Sequence, residues 1–273
     1  MLDTAPPDLV SLAAATGFDA VGLRVTAAGE EPWPMSSGSP MMAETRRRLE
    51  DTGVIVNDVE LVVLRPDTDV TSYRPLLEAG ALLGARFVNS IAVDTDAGRV
   101  RDNLAALTEA ALPLGMRPVL EPMAFLGVRT LSDAVAVVDG TGAGVLADPL
   151  HLRRSGGSPT DPRTVDPALL PYYQLCDAPL DPPREVSREI PLARGQAMDV
   201  PDLQFESRGL RLLPGEGELR LAAFIAAMPA GIPVSVEAPN VALLDRLGPL
   251  EFAKRAHRDL LEVLRAAENV AAS

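Results

Sequence analysis

The chain has 273 residues, of which 47% are apolar, and a formal net charge of −13. This length supports one large domain with a substantial core, and the negative charge disfavours binding to the phosphate backbone of nucleic acids. The single cysteine excludes an internal disulfide and indicates a reducing, cytoplasmic compartment, while the absence of a secretory signal and of any apolar run of roughly 18 residues argues against export and membrane insertion.

Helix-like and strand-like segments alternate along the whole chain. The predicted helices are Asp8–Ala15, Met42–Asp51, Tyr73–Leu83, Val100–Leu112, Ser132–Val138, Pro167–Leu170, Glu218–Ala227 and Pro249–Ala267. The predicted strands are Asp19–Val25, Val54–Leu64, Phe87–Val93, Arg117–Met123, Gly144–Leu150, Tyr172–Ala178 and Pro233–Pro239. Such an alternation predicts parallel strands joined by right-handed crossovers.

The predicted fold is a parallel α/β barrel that takes up residues 1–273 as a single domain. An eight-fold barrel needs one more strand before Asp8, and residues 1–7 (MLDTAPP) have no strand character. We therefore expect the first strand to be missing from this chain. Two explanations are open: the strand precedes the given start, which we favour, or the barrel is open at that point.

Polar residues stand near the carboxyl ends of four predicted strands: Glu121, Asp148, Gln174 and Glu237. A charge inside a buried strand is costly unless it is paired or bound to a metal. The carboxyl ends of barrel strands converge on one rim, so four oxygen donors would meet there and bind a hard divalent cation, Mg²⁺ or Mn²⁺. The alternatives are a structural ion pair for the two glutamates and strand-end caps for the other two residues.

Several further residues are predicted to line the same rim. His151 follows the Asp148 strand closely enough to contact substrate. Arg24 and Glu60 have the strand parity of inward-pointing residues, which fits a buried salt bridge and a substrate contact equally well. Trp33 lies in the loop after the first predicted strand, where it would stack on a sugar ring or anchor the loop.

Residues 179–217 form the longest connection, rich in proline and without periodicity. Long irregular segments in compact domains are commonly functional lids, and this one follows a strand that carries a proposed ligand. Arg208 and Arg211, which precede Pro214–Gly217, are the candidates for binding a carboxylate or phosphate there, with ordinary solvated arginines as the alternative.

These motifs together resemble the xylose isomerase-like TIM-barrel superfamily of sugar phosphate isomerases and epimerases, over nearly the whole chain. The motifs are Glu121 in LEPM, Asp148 and His151 as D-x-x-H, Gln174 and Asp177 as Q-x-x-D, Pro214–Gly217 as PGEG, and Glu237 in VSVEAPN. The resemblance implies a (β/α)8 barrel in which Glu121, Asp148, Gln174 and Glu237 bind a divalent metal and His151 contacts substrate or metal.

The resemblance also bears on the type of enzyme. The residue at the position of Gln174 is often His in the superfamily. In having a glutamine there, this chain resembles inosose dehydratase and the metal-dependent 3-dehydroshikimate dehydratases. Endonuclease IV shares the barrel but needs several further histidines to bind its zinc ions. This chain has only His151 and His257, so endonuclease activity is not expected.

The chemistry predicted for this rim is proton transfer next to a carbonyl. A metal that chelates a carbonyl and its neighbouring hydroxyl makes the adjacent C–H acidic. Glu121 and Glu237, on separate strands, would carry the proton, which predicts an isomerase or epimerase of a small sugar, keto-sugar or sugar phosphate. The alternatives are a dehydratase, which expels a β-hydroxyl after the same first step, and a non-catalytic barrel that binds a metabolite. The expected partner is a small carbohydrate, and a homo-oligomer is left open.

Overall fold

The computed structural model describes residues 1–25, 33–193 and 195–271. Within these ranges the strands are β1 Ala20–Arg24, β2 Ile55–Leu64, β3 Phe87–Ala92, β4 Arg117–Leu120, β5 Gly144–Val145, β6 Tyr173–Leu175 and β7 Val234–Val236. The helices are α1 Pro6–Thr16, α2 Pro40–Thr52, α3 Arg74–Leu83, α4 Ala97–Ala111, α5 Leu131–Val138, α6 Pro149–Arg154, α7 Asp202–Gly209, α8 Leu221–Ile225, α9 Val241–Leu247 and α10 Pro249–Ala271.

All strand pairs run parallel and follow chain order around a barrel. Strands β1 to β5 form one sheet, and β6 pairs with β7. A parallel bridge between Ala147 and Tyr173 joins the two sheets. Between β1 and β7, no described residue supplies a strand, so the barrel is open there. The predicted parallel barrel with seven visible strands is confirmed.

The predicted elements are correct in kind and differ mainly at their ends. The segment predicted as a helix at Pro167–Leu170 is a single 3₁₀ turn, and the helix predicted at Glu218–Ala227 is confined to α8. Helices α6, α7 and α9 were not predicted, because they are short and two of them lie in segments assigned to a strand end and a loop. No helix in the described ranges is long and apolar enough to cross a lipid bilayer.

The lower interior of the barrel is filled by apolar side chains from four adjacent strands or their ends. Val119, Leu146 and Tyr172 pack together with Phe87, and the Phe87 and Tyr172 rings stack at 4.8 Å between centroids. Because side chains alternate along a strand, the residues two positions later face the same interior, one layer nearer the carboxyl rim. These residues are Asn89, Glu121, Asp148 and Gln174, all buried.

The segment that follows β4 is pinned against the end of β3. The backbone N–H of Gly127 donates to the carbonyl of Ala92 at 2.9 Å. A Cβ atom at this position would overlap the carbonyl oxygen of Asp94, which is backbone and has little freedom to move. The close approach of two backbone segments therefore requires glycine at position 127.

We predict that Gly127→Ala destabilises the fold by about 1–3 kcal/mol, the usual cost of overpacking. Urea unfolding followed by circular dichroism measures the change. The matched control is Gly38→Ala, since a Cβ at Gly38 meets no atom within 4 Å. Equal unfolding midpoints for the two variants would contradict the close-approach argument.

Candidate active site

Three acidic side chains converge at the carboxyl ends of β4, β5 and β7. One carboxylate oxygen each from Glu121, Asp148 and Glu237 lies within 4.8 Å of the others. Glu121 and Glu237 directly follow their strands, and Asp148 lies between β5 and α6. Gln174 is in the middle of β6, on the strand between those that carry Asp148 and Glu237. The structure thus brings three of the four predicted ligands together and places Gln174 on the strand between two of them.

Several oxygens at this rim are buried without a hydrogen-bond partner. They are Glu121 Oε1, Gln174 Oε1 and Asn89 Oδ1. A buried polar atom without a hydrogen-bond partner costs about 1–3 kcal/mol, so three at one place indicate a missing binding partner. Carboxylate and amide oxygens are the donors that hard divalent cations prefer. The donor set therefore fits a divalent metal.

Arg211 is the buried counter-ion of these acids. Its Nη1 lies 2.6 Å from Asp148 Oδ2 and 3.0 Å from Glu237 Oε2, and donates to the Glu237 carbonyl at 3.0 Å. Burial lowers the pKa of Arg211, but the Asp148 and Glu237 charges outweigh burial and raise it well above its ordinary value. The sequence suggested a lid residue for binding anions; the structure places Arg211 among the proposed ligands instead.

The position of Arg211 depends on contacts distant in sequence. The backbone of Leu212 exchanges two hydrogen bonds with Asp177, at 2.8 and 2.9 Å, in an antiparallel bridge. The Asp177 carboxylate accepts bonds from the backbone N–H groups of Gly215 and Leu219, which fixes the PGEG turn. Asn240 Nδ2 donates to the Arg211 carbonyl at 3.1 Å. Asp177 is therefore a positioning residue for Arg211.

Asp148 joins the strand end to α6. It is the N-cap of α6, and its Oδ1 accepts the backbone N–H of His151 at 3.0 Å. Burial opposes ionisation of Asp148, but Arg211 and His151 outweigh it and the pKa is lowered. The cap and ligand alternatives are compatible, since Oδ1 caps the helix while Oδ2 faces Arg211.

His151 lies inside the site, in the first turns of α6. Its Nε2 accepts from Arg211 Nη2 at 3.1 Å and lies 3.6 Å from Glu121 Oε1. Phe125 packs edge-on against the imidazole at 5.5 Å between centroids, a contact that no sequence pattern predicted. Burial lowers the pKa of His151 to about 4, so the imidazole is neutral at physiological pH.

The two glutamates bind protons more tightly than glutamates in water. Burial, and then the negative charges of Glu237 and Asp148, raise the pKa of Glu121 well above its ordinary value. Burial raises the pKa of Glu237 to about 7 even though Arg211 opposes the shift. The Glu237 side chain is still 30% exposed, because it faces a cavity. Both carboxyl groups therefore keep a proton to a higher pH than glutamates in water do, as is common at functional sites.

The cavity has a volume of about 770 Å³ and extends from the rim into the opening between β1 and β7. Arg24, Trp33, Glu60 and Arg208, all proposed as substrate contacts, line it. Arg24 Nη2 and Glu60 Oε2 form an ion pair at 2.8 Å, so the salt-bridge alternative for this pair is realised at the cavity wall. Substrate contact by these four residues stays a prediction.

Asp58 is a second buried acid of the cavity wall. Its carboxylate lies over Gly22, where a Cβ would come within 2.8 Å of Oδ1, and it accepts from Asn57 Nδ2 at 3.0 Å. Burial, reinforced by the negative charge of Glu60, raises the pKa of Asp58 to about 7. Asp58 has the same strand parity as Glu60, two residues later on β2, and this parity is a sequence signal for an inward placement.

Comparison with solved structures shows the same fold in several proteins. A xylose isomerase-like TIM barrel/4-hydroxyphenylpyruvate dioxygenase fusion protein is 23% identical with a TM-score of 0.76, over 98% of this chain but only 43% of the fusion protein. The chain thus spans less than half the length of that protein. The IOLI protein with a bound zinc atom is 17% identical with a TM-score of 0.72, over 93% of this chain and 91% of that one.

D-psicose 3-epimerase, solved in the presence of D-fructose, is 16% identical with a TM-score of 0.68, over 100% of this chain and 96% of that one. Identities this low establish a common fold and nothing finer. No curated protein matches the chain significantly in sequence. The family model described as xylose isomerase-like TIM barrel matches residues 10–267. The chain belongs to the xylose isomerase-like TIM barrel family.

Proposed function

We propose that this protein is a divalent-metal-dependent isomerase or epimerase of a small sugar, keto-sugar or sugar phosphate. The observation that carries the proposal is the convergence of Glu121, Asp148 and Glu237 within 4.8 Å, together with buried oxygens that lack a partner. Sugar epimerases among the structures with the same fold, including L-ribulose 3-epimerase, support the reaction class.

Four side chains would hold the metal: Glu121, Asp148, Gln174 and Glu237. When bound, the metal polarises a substrate carbonyl and stabilises negative charge on its oxygen. The donors are all oxygens, and His151 Nε2 is already engaged by Arg211, which favours Mg²⁺ or Mn²⁺ over Zn²⁺.

Proton transfer is assigned to the two glutamates. Glu121 and Glu237 reach the rim from strands that are not neighbours, so they would approach a bound substrate from different sides. Each carboxylate would take a proton from carbon and hold it for return. The neutral imidazole of His151 would orient a substrate oxygen beside them.

A dehydratase is the second candidate, favoured by the amide of Gln174 in place of a histidine. Both reactions begin with removal of a proton next to a carbonyl. They differ in whether the proton returns to carbon or a β-hydroxyl leaves. NMR of the Mn²⁺-exchanged protein, run in D₂O against ketoses, inososes and 3-dehydroshikimate, separates them: deuterium exchange alone reports proton transfer, and a vinylic product reports dehydration.

We predict that Glu121→Gln and Glu237→Gln each lower turnover by roughly 10²–10⁴-fold, the usual effect of losing a general base. Glutamine keeps an oxygen donor and nearly the same shape, so metal should still bind, more weakly. Turnover and deuterium incorporation at the substrate carbon measure the loss, and metal content is measured in parallel.

The matched control is Glu78→Gln on α3, which removes the same charge from an exposed helix face. Its turnover should equal that of the unmodified protein. Near-normal turnover in both metal-loaded active-site variants would show that the glutamates are not the proton carriers, and His151 would replace them as the candidate.

We predict that Mn²⁺ raises the melting temperature and that its affinity increases between pH 6 and pH 8. The pKa of Glu237 is raised to about 7, so below this pH the metal must displace a proton, and above it the carboxylate is free. Affinity should rise by up to roughly tenfold per pH unit for each proton displaced. Calorimetry at three pH values measures the slope, which Glu237→Gln should reduce; a slope of zero contradicts this assignment.

A further inference from the structure

One wall of the cavity is built by the long connection after β6. Gly195, Gln196 and Ala197 line the cavity, followed by Gln204, Ser207 and Arg208 on α7. The start of the connection is held down by Arg154, which donates to the carbonyls of Pro179 and Leu180 and pairs with buried Glu206 at 2.7 Å. This wall is therefore tied to α6, the helix that carries His151.

Arg208 differs from Arg24 and Arg211, the two other cavity arginines proposed as substrate contacts, in having no acidic partner among the described residues. It is half-buried in the last turn of α7, and Nη1 donates to the Ala197 carbonyl at 3.3 Å. Among the described residues, no carboxylate forms an ion pair with Arg208. Arg211 is paired with Asp148, and Arg24 with Glu60. The positive charge of Arg208 is thus left uncompensated inside the cavity.

The surroundings of Arg208 favour an anion. Burial, and then the positive charge of Arg24, lower the pKa of Arg208, although a guanidinium stays protonated at any physiological pH. A half-buried cation that is repelled by its neighbour gains most from a negative partner. Gln196 Oε1, next in sequence to Ala197, is buried without a hydrogen-bond partner and is free to accept from a hydroxyl.

We propose that Arg208 binds an anionic group of the substrate, a phosphate or a carboxylate, while Gln196 accepts a hydroxyl next to it. The reacting carbonyl end would lie at Glu121 and Glu237, and this part of the inference rests on the proposed function. Arg208 and Arg211 then have different roles although they are close in sequence. Arg211 neutralises the protein's own acids, and Arg208 recognises the substrate. The substrate class is a phosphorylated or carboxylated sugar.

The test uses three probes with the same carbon chain but different ends: sorbitol, sorbitol 6-phosphate and gluconate. Calorimetry with the Mn²⁺-loaded protein measures each dissociation constant. A charge-assisted contact predicts that at least one anionic probe binds roughly 10–100-fold more tightly than sorbitol. The probe that gains identifies phosphate or carboxylate as the group recognised.

The variants are Arg208→Gln, Arg208→Lys and the control Arg101→Gln. Arg101 also donates to a backbone carbonyl, that of Ala136, and lies outside the cavity lining. Arg208→Gln should abolish the preference for the anionic probe, Arg208→Lys should keep part of it, and the control should keep all of it. Urea unfolding midpoints verify that the variants are folded.

Three results overturn the proposal: equal or absent binding of all probes by the unmodified protein, a preference that survives Arg208→Gln, and a preference lost in Arg101→Gln as well. The second result would place the anion elsewhere, for example on the metal. Mn²⁺ binding is a separate readout. If Mn²⁺ fails to bind, the proposed function fails, and titrating the metal-free protein with the same probes still decides whether Arg208 binds an anion.

Discussion

Arg211 brings a buried positive charge into contact with Asp148 and Glu237, and the polar layer of the barrel is organised around it. Carboxylates this close together repel each other strongly in a medium from which water is largely excluded. The guanidinium offsets part of that repulsion, and protonation of Glu121 and Glu237 relieves much of the rest. A divalent cation would supply the remaining positive charge, so that a full set of ionised ligands becomes stable only in the metal-bound state.

The charge balance depends on the chain segment that carries Arg211. Asp177 pairs with Leu212 and caps the turn that follows, while Asn240 holds the Arg211 carbonyl. Arg154 fixes the start of the connection by donating to the carbonyls of Pro179 and Leu180. Both ends of residues 179–217 are thus anchored to elements of the rim. The same connection supplies Arg208 and Gln196 to the cavity wall, so the charge balance of the acidic cluster and the shape of the cavity depend on one chain segment.

The sequence was sufficient to predict the strands and the convergence of the acidic side chains for a specific reason. Buried parallel strands are short apolar runs, and a carboxylate at the end of such a run stands out because it is costly there. Glu121 and Glu237 both show this pattern, because each directly follows a short apolar strand. No local sequence pattern indicated the role of Arg211. Its position depends on the bridge between the neighbouring Leu212 and Asp177, which is far away in sequence. Helices α6 and α7 escaped prediction because tertiary contacts rather than periodicity stabilise short helices.

The N-cap at Asp148 limits which of its carboxylate oxygens could bind a metal. One oxygen of this carboxylate is committed to the backbone N–H of His151, and the helix would lose its cap if the group rotated. Under the proposed function, Asp148 would therefore offer a metal only Oδ2, which already contacts Arg211. A single oxygen donor from this carboxylate would leave more of the coordination to the other side chains and to an oxygen of the substrate.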